Sequence, residues 1–228
     1  MSARQIACVL GAAVVTTLAL LNAAVSIPST LADPCPDIEV VSARGSGDPP
    51  GVGWAGEAFV DSLRPQVGGR SVGVYAVHYP STHVVTDPSN DDLSTSASAG
   101  AKDASAHVQY TAANCPNTRM VLVGYSLGAA VIDVITSAGV PLPLGLVPAP
   151  MPAKVADHVA AVAVFGNPST KAPGRPLTAI SPLYGAKAID LCVPSDPICS
   201  DGENWSAHGQ YVESGMVRQA ATFAASRL

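Results

Sequence analysis

The chain has 228 residues, of which 48% are apolar and only 13% charged, with 12 Lys+Arg against 17 Asp+Glu and a formal net charge of −5. So large an apolar fraction excludes a disordered chain, and 20 Gly with 20 Pro but no Gly-X-Y period exclude collagen and a flexible linker. A mildly acidic chain without a Lys/Arg run is not built to coat phosphates, so no nucleic-acid partner is expected.

Arg4 is the only basic residue before an apolar stretch from Ile6 to Val25, and Thr30-Leu31-Ala32 offers the small residues of a cleavage site. Residues 1–32 therefore read as a secretory signal peptide and residues 33–228 as one domain, a secreted product with no membrane span after cleavage. An uncleaved anchor is the rival reading, because the stretch is long enough to span a bilayer; no basic stop-transfer cluster follows it. Loss of the leader leaves four cysteines, Cys35, Cys115, Cys192 and Cys199, an even number that reads as disulfides in an exported chain. Four cysteines allow three connectivities. Cys192 and Cys199 lie close in sequence around Pro194 and Pro197, so that pair closes most cheaply and leaves Cys35 with Cys115. No C-x-x-C pair or His cluster accompanies them, so neither a metal nor a cofactor is expected.

Five short runs rich in Val and Ile read as strands covered on both faces: Ile38–Ala43, Val72–Val77, Met120–Gly124, Val159–Phe165 and Lys187–Leu191. Helical segments fall between and after them, at Trp54–Leu63, Ser94–Ala113, Ala129–Ala138 and Gln210–Ser226. The connections Tyr79–Leu93, Gly139–Ala153 and Asn167–Pro182 are loops rich in Pro, Ser, Asn and Gly. Strand and helix alternate, which predicts a single α/β domain with a mostly parallel sheet and helices on both faces. In such a sheet the chemistry lies beyond the carboxyl ends of the strands.

At the end of the third strand stands Gly124-Tyr125-Ser126-Leu127-Gly128, followed by the small Ala129 and Ala130. A G-x-S-x-G between strand and helix is a nucleophile elbow, its glycines keeping side chains out of a turn too tight to hold them. A serine hydroxyl needs a general base held by a carboxylate, and on this architecture the chain order is Ser, acid, His. Only His158 and His208 follow Ser126. His158 opens the fourth strand, at the wrong end of the sheet, so His208 is the base. Asp190, Asp196, Asp201 and Glu203 are the acids within reach; Asp196 leads because it lies inside the Cys192–Cys199 ring just past the fifth strand, and Asp201 is the runner-up. For the oxyanion, the backbone N–H of Leu127 and that of Ser46, in the loop after the first strand, are the expected donors.

With Ala43-Arg-Gly-Ser46, Gly124-Tyr-Ser-Leu-Gly-Ala129, Cys192-Val-Pro-Ser-Asp196-Pro-Ile-Cys199 and His208 before the final helix, the chain resembles the cutinase family of serine esterases, its mycobacterial branch above all. The resemblance implies a lidless three-layer sandwich on a five-stranded parallel sheet. It also implies a Ser126–Asp196–His208 triad, an oxyanion hole at Ser46 and Leu127, and a monomer acting on carboxylic esters without a cofactor. Its location would be extracellular or at the cell wall. Members of the family commonly carry Gln after the nucleophile, where this chain has Leu127. The N–H survives that change but any side-chain support for it does not, so altered activity is expected, on soluble acyl esters of short to medium chain rather than polymeric cutin. An acetyl-polysaccharide esterase on the same triad and a secreted binding protein with a degenerate site are the alternatives.

Overall fold

The computed structural model describes residues 35–82, 91–171 and 174–228. The proposed signal peptide and residues 83–90 of the Tyr79–Leu93 loop lie outside the described residues. In chain order the elements are β1 (Ile38–Ala43), α1 (Trp54–Leu63), β2 (Val72–Ala76), α2 (Asp91–Asn114), β3 (Arg119–Tyr125), α3 (Leu127–Thr136), α4 (Ala153–Ala156), β4 (Val159–Phe165), α5 (Pro168–Lys171), α6 (Leu177–Ile180), β5 (Ala188–Leu191) and α7 (Met216–Ala225).

The five strands form one parallel sheet in the order β2-β1-β3-β4-β5. Alternation along each strand divides the core in two. Val41, Met120, Leu122, Val162 and Val164 face one layer with α2 and α3, whereas Val40, Val121, Val123, Ala163 and Phe165 face the other with α1 and α7. Both faces are therefore buried, which is why β3 and β4 read as unbroken apolar runs: every residue of β4 is buried. Each fully buried Val, Leu or Ile contributes about 1.5–3 kcal/mol, so these central strands fix the positions of whatever follows them. The register pairs Ala43 with Gly124 and Tyr125 with Phe165, so the chain leaves β1, β3 and β4 at the same edge of the sheet.

Boundaries differ from expectation at the helices. α3 begins at Leu127, directly after Ser126, and ends at Thr136, two residues ahead of the predicted span at both ends. α2 opens at Asp91 rather than Ser94. α7 starts only at Met216, because Gly215 adopts a left-handed φ of 77° and residues 211–215 form turns. Disulfides join Cys35 to Cys115 and Cys192 to Cys199, the first fastening the chain ahead of β1 to the segment just after α2 and the second closing the loop after β5. Among the described residues no helix is long and apolar enough to cross a membrane.

Candidate active site

Ser126 occupies the single residue between β3 and α3, with φ 54° and ψ −116°, a conformation rare outside glycine. Its neighbours explain the turn. A Cβ on Gly128 would lie 1.9 Å from the carbonyl oxygen of Ala43, and one on Gly124 would lie 2.5 Å from that of Gly128. Glycine at both places lets the first turn of α3 press against the end of β1, and the Ser126 N–H bonds to Phe165 O at 2.9 Å. The elbow is thus wedged between the ends of β1 and β4.

His208 Nε2 lies 2.9 Å from Ser126 Oγ, and His208 Nδ1 lies 2.8 Å from Asp196 Oδ2. His208 sits in a short 3₁₀ segment, Trp205–Gly209, capped by the Asn204 side chain, which accepts from the Ser206 N–H. Asp196 is fully buried in the loop closed by Cys192 and Cys199. Burial alone would raise its pKa. Hydrogen bonds from His208, from the Tyr211 hydroxyl and from the Ile198 N–H at 2.8 Å outweigh that and hold the carboxyl below its ordinary value. An ionised Asp196 can only accept, so Nδ1 of His208 carries the proton and Nε2 is left to accept from Ser126.

Three residues that the sequence did not single out hold this line in place. Tyr125 stacks on the His208 ring, centroids 5.0 Å apart, and its hydroxyl donates to His208 O at 2.8 Å. Tyr211, fully buried, donates to the same Asp196 oxygen that meets His208. Gly166, at a φ of 56° just after β4, lies so close to His208 that a Cβ there would stand 2.8 Å from ring atom Cε1. No short-range pattern marks these positions, since each depends on a contact across the fold.

The oxyanion candidates come from two segments, the start of α3 and the loop after β1. Leu127 is the first residue of α3, where an N–H has no intrahelical acceptor. Its side chain is buried in the core layer of α2 and α3. Ser46 is half-buried in the loop after β1. The remaining acids are elsewhere: Asp201 and Glu203 are exposed, with no hydrogen bond to His208, and His158 stands just ahead of β4 at the far end of the sheet. Asp190 belongs to a second buried cluster. The Asn167 amide donates to Asp133 at 3.2 Å and to Asp190 at 2.9 Å, and Ser169 donates to Asp133. Burial pushes Asp133 up to about 8 and Asp190 up to about 6, against the effect of these hydrogen bonds. Among the described residues no group of three or more His, Cys, Asp and Glu side chains is placed to hold a metal ion.

Comparison with known proteins gives a consistent picture. The family model described as Cutinase matches residues 34–228. The Mycobacterium tuberculosis protein named Carboxylesterase Culp1 is 53% identical over the whole of this chain and 98% of its own length. Phospholipase Culp4 of the same organism is 48% identical over the whole chain and 93% of its own. Among solved structures, the catalytic core domain of acetyl xylan esterase from Trichoderma reesei matches 85% of this chain and all of that one, with TM-score 0.71 and 25% identity. Trichoderma reesei cutinase in complex with a phosphonate inhibitor matches 85% of this chain and 77% of that one, with TM-score 0.64 and 29% identity.

Proposed function

Because the chain belongs to the cutinase family, we propose that it is a secreted serine esterase that cleaves carboxylic esters through an acyl-enzyme. The observation that carries the reading is the hydrogen-bonded line from Ser126 Oγ through His208 to a buried, ionised Asp196. His208 Nε2 takes the proton of Ser126 as Oγ attacks the ester carbonyl carbon, and the N–H groups of Leu127 and Ser46 receive the charge that develops on the carbonyl oxygen. Asp196 stabilises the imidazolium and fixes its tautomer. Collapse of the tetrahedral intermediate expels the alkoxide, which takes the proton from His208 and leaves the acyl group on Ser126. Water, deprotonated by His208, then attacks the acyl carbon, releases the carboxylic acid and restores the serine.

Relatives named as a carboxylesterase and a phospholipase favour acyl esters of lipid character as the substrate class. The structural match to an acetyl xylan esterase supports a second reading, removal of acetyl groups from a polysaccharide on the same triad. Secretion is supported by the apolar leader and by two disulfides, which persist in oxidising compartments.

The test is turnover of p-nitrophenyl esters from acetate to palmitate beside acetyl-xylan, with labelling of Ser126 by a fluorophosphonate. Labelling of the wild type, its loss in Ser126→Ala and a preference for acyl chains of four carbons or more over acetyl-xylan are expected. Turnover that survives Ser126→Ala would overturn the mechanism, and a preference for acetyl-xylan would transfer the substrate assignment to polysaccharide.

A further inference from the structure

The loop that carries Ser46 is gripped by one residue of the loop after β2. Ser81 is 2% exposed and has a φ of 52°, a left-handed backbone that L side chains rarely adopt. Its hydroxyl donates to the carbonyl of Gly45, and its own carbonyl accepts the N–H of Gly47 at 2.9 Å. The peptide unit between Gly45 and Ser46 is planar and trans, so the Ser46 N–H points opposite to the Gly45 carbonyl. Holding that carbonyl therefore fixes the direction of the N–H. The second bond fixes the next peptide plane, between Ser46 and Gly47. A single residue thus sets both planes that flank Ser46.

Ser81 is itself anchored. The buried guanidinium of Arg44 donates to Tyr79 O at 2.7 Å and to Pro80 O at 3.3 Å, and the Tyr79 hydroxyl donates back to Arg44 O. The loops after β1 and β2 are in this way laced together by bonds in both directions, on either side of the Ser46 N–H.

We propose that Ser81 is a positioning residue of the oxyanion hole, acting through the Gly45 carbonyl to aim the Ser46 N–H at the developing charge. This rests on the reading of Ser46 as an oxyanion donor. Preorganised donors contribute to rate only when they point at the oxyanion before it forms, and deletion of one costs about 10²–10³-fold. Misaiming one costs less.

Ser81→Ala and Ser81→Gly both remove the hydroxyl, and the glycine variant also relieves the left-handed backbone, so it folds even where strain would harm the alanine variant. For both, kcat on p-nitrophenyl butyrate should fall about 10- to 100-fold with KM changed less than about threefold, active sites being counted by fluorophosphonate titration. The inhibition constant of an alkyl trifluoromethyl ketone should rise by the same factor as kcat/KM falls, because its carbonyl becomes a tetrahedral alkoxide on Ser126. A kcat within about threefold of wild type in Ser81→Gly would overturn the proposal. So would a fall in kcat with ketone affinity unchanged, the mark of general loosening. Failure of the underlying serine-esterase reading is separate: the wild type would then neither label with fluorophosphonate nor bind the ketone.

Discussion

Replacing Gly166 with alanine sets a backbone penalty against a displaced His208 ring, and the two can be separated. The φ of 56° costs an L residue about 1–2 kcal/mol. That corresponds to roughly 2–8 °C in Tm for a domain of this size. The new methyl carbon would also stand 2.8 Å from His208 Cε1, 3.1 Å from Nδ1 and 3.1 Å from the Tyr211 hydroxyl. Carbon atoms rest at about 3.5–4.0 Å, so the imidazole must retreat by about 0.7 Å or more. From a starting Nε2···Oγ distance of 2.9 Å, a retreat of that size takes the pair out of hydrogen-bond range. A misplacement of about 1 Å costs about 100-fold in rate, and kcat for p-nitrophenyl butyrate should fall by that order. Gly68→Ala is the control, since Gly68 has a φ of 64° with nothing within 4 Å of its Cβ position. It should lose comparable stability and keep its kcat. If Gly166→Ala turns over within about threefold of wild type, Gly166 is not what seats His208.

Tyr211→Phe removes one of the donors that depress Asp196. A depressed carboxyl stabilises the fold above its unfolded pKa and loses that contribution as pH falls through its folded pKa, so the variant should lose Tm at a higher pH than wild type in a series from pH 6 to pH 2; coincident curves would refute the role. Asp133 behaves oppositely: with its pKa raised to about 8, its contribution is complete below about pH 4 and is lost as pH rises through 8. Asp133→Asn keeps the shape of the neutral acid, so it should flatten the decline in urea stability between pH 6 and pH 8 by on the order of 1 kcal/mol per pH unit. An unchanged slope would mean that Asp133 is ionised in the fold. Replacing Cys192 and Cys199 together by serine opens a ring with a sequence separation of seven. It should cost about 2 kcal/mol in denaturant melts, with a further drop in kcat at temperatures where the variant is fully folded.

The parts of the fold legible in the sequence are those set by local pattern. Five apolar runs sufficient in length for strands, and glycines at both sides of Ser126, carry their own signal because burial on two faces and a tight turn each constrain consecutive residues. Asp196 was legible for the same reason, its ring being closed by two cysteines a few residues apart. Tyr211 and Gly166 were not, because their roles come from contacts with residues 15 and 42 positions away in the chain, where no periodicity records them. The start of α7 departs from the sequence pattern on the same account. Gln210 to Gly215 has a composition that a helix accepts, yet Tyr211 is committed to Asp196 and Gly215 turns left-handed, so the helix cannot begin until Met216. Asp133 reads as one acid in an apolar helix, and nothing near it in sequence announces Asn167 and Asp190 as its company.

The Cys192–Cys199 ring also bears on how little of the chain has to be ordered to hold Asp196 still. A covalent closure only seven positions wide leaves the loop after β5 few ways to move, and the Ile198 N–H that donates to Asp196 lies inside the same ring. The carboxylate that meets His208 at 2.8 Å is thus restrained from within its own segment as well as from across the fold by Tyr211.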